Sequence, residues 1–248
     1  MNKIRLKDID TRAPKDLDKE KTKKETQEIL EKLDDLQNLL YAEAKHSLLV
    51  IIQGMDASGK DGAIRNVFGK LNPQGVKVKS FKVPTAEEAA HDFLWRIHLH
   101  APQKGIIQLF NRSHYEDIVI TRVHKWIDDS IAKKRMEAIN NFEKLLVDHN
   151  NTMILKFYLH VSPEKQLERL NERIRDPQKQ WKYNENDFTE ARLWDIYMKM
   201  YEDCFENCNY LPWTIVPADQ NWHKEYIIAS KVYETLKSFN MTYPGIKK

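Results

Sequence analysis

The chain has 248 residues, 41% hydrophobic and 31% charged, enough for one substantial core. Its 40 basic residues nearly balance 37 acidic ones, and a net charge of +3 excludes the global positive field of a nucleic-acid-coating protein, so any polyanion site must be a local cluster. No apolar run approaches the roughly 18 residues of a membrane span, and Met1–Asp10 lacks the apolar segment of a secretory signal, which predicts a soluble, cytoplasmic protein that engages neither membrane nor nucleic acid.

Residues 1–16 are polar, carry Pro14 and show no period; they read as an N-terminal arm, docked or free. From Leu17 to Lys45, Ile29, Leu30, Leu33, Leu36, Leu39 and Leu40 recur at three- and four-residue spacing among charges, the signature of an amphipathic helix that packs on its own sheet or on a second copy. Ser47–Gln53 is an almost unbroken apolar run of strand length, as in a central parallel strand covered on both faces. Further β-type runs at Val76–Val83, Gly105–Phe110, Met153–Val161 and Trp213–Val216 alternate with helical patterns, among them Ile131–Asp148 and Thr189–Asn207. Ser162-Pro163-Glu164 starts a helix with an N-cap, a first-position proline and a first-turn acid. Arg175–Phe188 is polar and without period, too long for an ordinary turn, and reads as a lid, after which Asp187 and Glu190 have the spacing of a capping box. The alternation predicts an α/β fold: a three-layer sandwich around a parallel sheet, one domain over residues 17–240 with a lid at about 165–190 and a tail at 241–248. Cys204 and Cys208 lie four apart in a helical stretch with no metal-ligand spacing, and read as buried thiols in a reducing compartment. The histidines at 91, 98, 100, 114 and 124 also lack ligand spacing and default to core or surface positions.

The first strand runs into Gly54-Met55-Asp56-Ala57-Ser58-Gly59-Lys60-Asp61-Gly62, the G-x-x-x-x-G-K spacing of a P-loop, followed by a helical pattern from Ala63. Gly54 and Gly59 permit the tight turn that points N–H groups of residues such as Ala57 and Ser58 at phosphate oxygens, and Lys60 adds a positive charge at a helix N-terminus. The Ser or Thr hydroxyl that holds Mg²⁺ after the lysine is replaced by Asp61. A carboxylate within an anion-binding loop is otherwise unfavourable, so Asp56 is the expected metal ligand. Positive groups gather from Lys60 and Arg65, from Lys77, Lys79 and Lys82, and from Arg112 and Arg122, although Lys77 and Lys79 fit a solvated surface as well. Arg169 fits a wet-surface pair with Glu164, Glu168 or Glu172. Arg173 enters the lid, where closure would bring it to a transferring phosphoryl group. Trp181 and Tyr183 either stack on a base or anchor the closed lid.

The third strand ends in Asn111-Arg112-Ser113-His114-Tyr115-Glu116-Asp117, a polar cluster beyond the carboxyl ends of the strands. This stretch, the loop at 54–62, Phe81-Lys82-Val83-Pro84-Thr85 and the segment Arg173–Asp187 together resemble the polyphosphate kinase 2 family, over roughly Leu17–Phe239. The resemblance implies a P-loop kinase fold with a helical lid. It implies reversible, Mg²⁺-dependent transfer of a phosphoryl group between polyphosphate and AMP, ADP or ATP, in line and without a covalent enzyme intermediate, with Mn²⁺ able to substitute. It casts Asp56 as metal ligand, Lys60 and Arg112 as phosphate-binding groups, Arg173 as lid arginine and Lys82 as part of the polyphosphate path. Asn111, His114, Tyr115, Glu116, Asp117, Trp181 and Asp187 would then form the nucleotide side. Many members carry Asp where this chain has Asn111, a weaker metal ligand, so the second metal ligand stays open, with Glu116 just downstream as a candidate. The Glu116-Asp117 pair resembles the subgroup that accepts both AMP and ADP, and a homo-oligomer, dimer or tetramer, is expected. Two other readings share the loop: an ATP-dependent nucleoside or nucleotide kinase, and a nucleotide- or polyphosphate-binding module without turnover.

Overall fold

A computed structural model describes residues 4–246; residues 1–3 of the expected arm and 247–248 of the expected tail lie outside the described residues. Helix α1 (Lys19–Glu43) begins where the Asp18 carboxylate accepts from Lys21 N at 2.8 Å, and ends at Ala44 in the left-handed conformation. Strand β1 (Ser47–Gln53) is buried along its whole length, which demands cover on both faces. Then follow α2 (Lys60–Phe68), β2 (Val76–Ser80), α3 (Ala86–Ala90), α4 (Trp95–His98), β3 (Ile107–Asn111), α5 (Glu116–Val123), α6 (Asp129–Asn150) and β4 (Thr152–His160). The chain closes with α7 (Pro163–Arg175), α8 (Asn186–Ala191), α9 (Trp194–Asn207), β5 (Trp213–Pro217) and α10 (Asn221–Ser238).

The five strands are all parallel in the order β2-β3-β1-β4-β5, and helices gather in two groups, α1, α2 and α10 in one and α5, α6 and α9 in the other. This is the α/β sandwich that the alternating pattern predicts. The apolar stripe of α1 packs within the chain, chiefly against α10. Ile52 pairs with Asn111 in β3 and with Phe157 in β4, so the loops leaving β1 and β3 emerge side by side at one end of the sheet. That register positions the site.

Three expectations change. Strand β2 stops at Ser80 rather than Val83 and is half exposed, as an edge strand is, while Phe81–Thr85 leaves the sheet and Thr85 caps α3 through a capping box with Glu88. The helix expected over Thr189–Asn207 is two helices, α8 and α9, with a break at Arg192 and Leu193. Asp187 is not a cap: it lies inside the first turn of α8, and its carboxylate binds Arg173, while Glu190 binds Tyr197 and His124. Ser162, by contrast, caps α7 as expected, accepting from Lys165 N.

The arm docks. Leu6 is buried, its N–H donates to Glu202 at 2.8 Å and its carbonyl meets His160 Nε2 at 3.0 Å. Cys204 and Cys208 are buried and unpaired.

Candidate active site

Between β1 and α2 the backbone makes a turn that only small residues allow. Gly54 has φ 149°, and a Cβ there would lie 2.9 Å from the Leu159 carbonyl; Gly59 has φ 96° and hands the chain directly to α2. Ala57 also sits at positive φ. The first turn of α2 leaves its N–H groups without helical acceptors, with the positive end of the helix dipole behind them. Lys60, largely buried, folds back over the loop and donates to the carbonyls of Gly54 at 2.8 Å and Met55 at 3.0 Å. Burial first, and then the neighbouring Arg112 cation, bring its pKa down to about 8.

Beside this loop stands Arg112, the first residue after β3, held at φ 62° with its N–H on the Ile52 carbonyl at 3.1 Å. Left-handed backbone at a bulky side chain is costly, and it aims the guanidinium across the loop. One nitrogen binds Asp56 and another binds Glu116 at 3.0 Å. Burial pushes the Asp56 carboxyl up, but Arg112, Lys60 and Arg173 together outweigh it and hold the group below its ordinary value. Glu116 above all raises the Arg112 pKa further, so that side chain is a permanent cation. Gln53 links the two loops: with its amide oxygen accepting from Ser113, its nitrogen donates to Glu116 at 2.7 Å.

The lid reaches the same place. Arg173 binds Asp187 and donates to the Lys182 carbonyl at 3.3 Å, and its charge is felt at Asp56. Burial, and then Asp56, raise the pKa of Asp187. Asp61, which replaces the usual hydroxyl, accepts from Asn111 at 2.8 Å and from the lid's Lys182 at 2.7 Å. The acid at 61, which departs from the common P-loop pattern, thus bonds to the amide at 111 at the end of β3.

Several expected site residues stand elsewhere. His114 and Tyr115 are wholly buried, His114 against Phe142 and Glu143 and Tyr115 donating its hydroxyl to Glu143, so neither is placed to touch a nucleotide; they anchor the loop from behind. Arg122 lies at the last turn of α5, held by Asp129 at 2.8 Å and Asp203 at 2.5 Å, and makes no bond to the loop. Asp117 pairs with Arg96, which also donates to the Lys82 carbonyl. Lys82, Arg65 and Trp181 are exposed, and the Trp181 indole donates only to Gln178 within the lid, while Gly62 opens onto free space. Arg169 is not in a surface pair with glutamates: it points inward and donates to the carbonyls of Ala57 at 3.0 Å and Ser58 at 3.1 Å. Sequence reasoning also missed Gln53, whose only signal was a polar end on an apolar strand, and Lys182, one lysine among several in a polar loop.

The facing donors on the loop side are oxygens, Asp56 and Glu116, which suits a hard cation that takes one or two carboxylates and completes its shell from phosphate and water. No cluster of three or more His, Cys, Asp or Glu that would hold an ion unaided occurs among the described residues. What the arrangement supplies is a phosphate-sized turn rimmed by N–H groups, one lysine, two arginines and a carboxylate pair.

Comparison with known proteins bears on the same segments. The family profile described as Polyphosphate kinase 2 (PPK2) matches residues 16–244. A Meiothermus ruber protein named AMP/ADP-polyphosphate phosphotransferase is 46% identical over 215 residues, covering 86% of this chain and 80% of its own length. A Rhodopseudomonas palustris ADP-polyphosphate phosphotransferase is 44% identical over 229 residues, covering 87% and 79%. The crystal structure of Polyphosphate Kinase 2 from Arthrobacter aurescens TC1 superimposes with a TM-score of 0.95 at 36% identity, over 100% of this chain and 90% of that one. The strand order, the glycine turn facing Arg112 and these likenesses lead to one assignment: the chain belongs to the polyphosphate kinase 2 family.

Proposed function

We propose that the protein transfers a phosphoryl group reversibly between inorganic polyphosphate and AMP or ADP, with Mg²⁺ held beside the loop by Asp56 and Glu116. The observation that carries this reading is the Asp56–Arg112–Glu116 bridge set against the glycine turn, in a chain of this family. A nucleotide phosphate is already a competent nucleophile, so the protein's task is alignment and neutralisation of charge, in line and without a covalent enzyme intermediate. When bound, Mg²⁺ held by Asp56 and Glu116 would supply positive charge that offsets the charge gathering in the transfer. The chain's own groups do the rest. The loop N–H groups and Lys60 hold the phosphate chain; Arg112 leaves the two carboxylates to take the transferring group; Arg173, released from Asp187, closes on it from the lid. Lys82, exposed on the segment after β2, extends the path for a long anion. Glu116 and Asp187 are proposed for the nucleotide side, whereas Asp117 is held by Arg96; Trp181 is exposed and available for stacking.

We place the protein in the cytoplasm, a reading supported by two unpaired buried thiols and by the absence, among the described residues, of a helix long and apolar enough to cross a membrane. Homo-oligomer formation is also part of the proposal, through faces other than the α1 stripe, which the chain itself covers; light scattering tests it.

The deciding assay incubates the protein with polyphosphate, Mg²⁺ and either AMP or ADP and follows ADP and ATP. Products from both acceptors are expected. Transfer from ATP alone, with polyphosphate inert, would overturn the reading.

A further inference from the structure

Four consecutive carbonyls of the phosphate loop are each tied by a side chain from behind. Gln166 Nε2 donates to the Asp56 carbonyl at 3.0 Å, Arg169 Nη1 to those of Ala57 at 3.0 Å and Ser58 at 3.1 Å, and Lys224 Nζ to that of Gly59 at 3.2 Å. Gln166 and Arg169 share one face of α7, three residues apart, and Lys224 comes from the first turn of α10. Arg169 also bonds the Ala218 and Asp219 carbonyls, at 2.9 and 3.2 Å, so it ties the loop to the end of the sheet.

In a trans peptide the C=O and the following N–H point in opposite directions, and the chain has no cis bond among its described residues. Drawing the carbonyls of residues 56, 58 and 59 back therefore turns the N–H groups of Ala57, Gly59 and Lys60 forward. None of these three N–H groups makes a hydrogen bond within the described chain, whereas that of Ser58 is consumed by the Met55 carbonyl. The space behind the turn is filled accordingly: a Cβ at Gly59 would come within 2.5 Å of Lys224 Nζ.

Neither of the two cations has a carboxylate in direct contact among the described residues; Asp219, Glu172 and Glu168 act on Arg169, and Glu225 on Lys224, only from a distance. Their side chains share the Asn221 side-chain oxygen, while the Asp219 carboxylate directs its hydrogen bonds to Ser162 and Thr11. Lys224 is almost wholly buried, and burial, then Arg169, lowers its pKa to about 8. Two desolvated positive charges side by side, with carboxylates acting only from a distance, are costly, and a bound anion offsets that cost.

We infer that Gln166, Arg169 and Lys224 are positioning residues that fix the peptide planes of the phosphate loop, and that the two cations among them, Arg169 and Lys224, add positive charge that a bound phosphate chain complements. They touch backbone, not substrate, so their effect is on how tightly the phosphate chain is held. The inference rests on the proposed activity for its kinetic test but has a second readout that does not.

The test uses the full-length protein as Gln166→Met, Arg169→Lys and Lys224→Met. Expected are a rise in the polyphosphate KM of about tenfold for Lys224→Met and a smaller rise for Arg169→Lys, with kcat less affected and the nucleotide KM within about twofold. The upward shift in melting temperature produced by inorganic tripolyphosphate should shrink in parallel. Folded variants with wild-type polyphosphate KM and wild-type tripolyphosphate shift overturn the inference, as does an equal rise in both substrates' KM. Loss of the fold in all three variants would make these residues merely structural and overturn it as well. A wild-type protein inert towards polyphosphate and ADP would instead sink the proposed activity, and the tripolyphosphate shift would still decide the loop's positioning.

Discussion

At Arg112 one guanidinium spans two carboxylates from different loops, and it does so from a left-handed backbone that an arginine adopts only under constraint. A lysine there cannot satisfy both partners, since it has a point charge in place of a planar fork. Arg112→Lys should therefore lower kcat by about 10² and Arg112→Ala by about 10³ or more, with circular dichroism unchanged. Steady-state rates within a few-fold of wild type would remove Arg112 from the chemistry. Lys60 makes a separate prediction with pH. Its folded pKa of about 8 lies below the ordinary 10.5, so the ammonium is lost from the free enzyme as pH rises through about 8, and kcat/KM for polyphosphate should fall along that limb. Stability moves the other way: between those two values the unfolded chain binds the proton that the folded one does not, so the contribution of Lys60 to folding stability rises with pH across the window. Lys224 has the same depressed value, and Lys224→Met leaves the alkaline limb in place if Lys60 is its origin. Asp61 and Asn111 make a third case. Asn111→Asp alone sets two carboxylates against each other where an amide now donates at 2.8 Å, and should cost about tenfold in turnover, while Asn111→Asp combined with Asp61→Ser should recover most of it. Additive losses in the double variant would refute that coupling.

Among the elements, the lid is the one whose position depends on few bonds. Gln166 and Arg169 of α7 hold the loop carbonyls, but the segment beyond α7 is fastened by the Arg173–Asp187 pair and, among the described residues, reaches the phosphate loop and α2 through the Lys182–Asp61 bridge between partly exposed groups. Such a bridge is worth less than about 1 kcal/mol and weakens with salt. Lys182→Ala should thus change turnover only a few-fold, speed hydrogen exchange over the segment 176–186, and show a shallower dependence of rate on ionic strength than the wild type; unchanged exchange would mean the lid is held by something else. The helices and strands were legible in advance because their signals are local: seven apolar residues in β1, a capped proline start at α7, a leucine stripe in α1. The break between α8 and α9 was not, because nothing in Arg192-Leu193 forbids a helix; the bonds of Asp187 to Arg173 and of Glu190 to Tyr197 hold α8 apart from the axis of α9. Tertiary pairing overrode a helical pattern there.

On the scale of the whole molecule, the same contrast between local and distant signals decides which site residues could be read. Gly54, Asp56, Lys60 and Arg112 stand in motifs, whereas Arg169, Lys224 and Lys182 reach the loop from residues more than a hundred positions away, and only the fold brings them there. His114 and Tyr115 misled for the converse reason: they lie inside the motif but serve the core behind it. That core contains Lys156 from β4, wholly buried, which donates to Glu143 of α6 at 2.8 Å, to the Tyr115 hydroxyl at 3.1 Å and to the Cys208 carbonyl at 2.9 Å. Four segments of the molecule meet at one ammonium. Burial alone would push the Glu143 carboxyl up, but His114 and Lys156 hold it below its ordinary value, so that carboxylate stays ionised inside the protein. Breaking the Lys156–Glu143 pair from one side leaves an uncompensated charge with no route to water, at a cost of about 3–5 kcal/mol, whereas replacing both partners by apolar groups of similar volume removes that charge altogether. Lys156→Met should therefore lower the urea midpoint severely, and Lys156→Met with Glu143→Leu should regain most of the loss. Because Tyr115 would still lose its hydroxyl partner in the double variant, the restored fold should show a reduced turnover through a loosened Arg112–Glu116 loop. A double variant as unstable as the single one would show that the pair contributes through packing and not through charge.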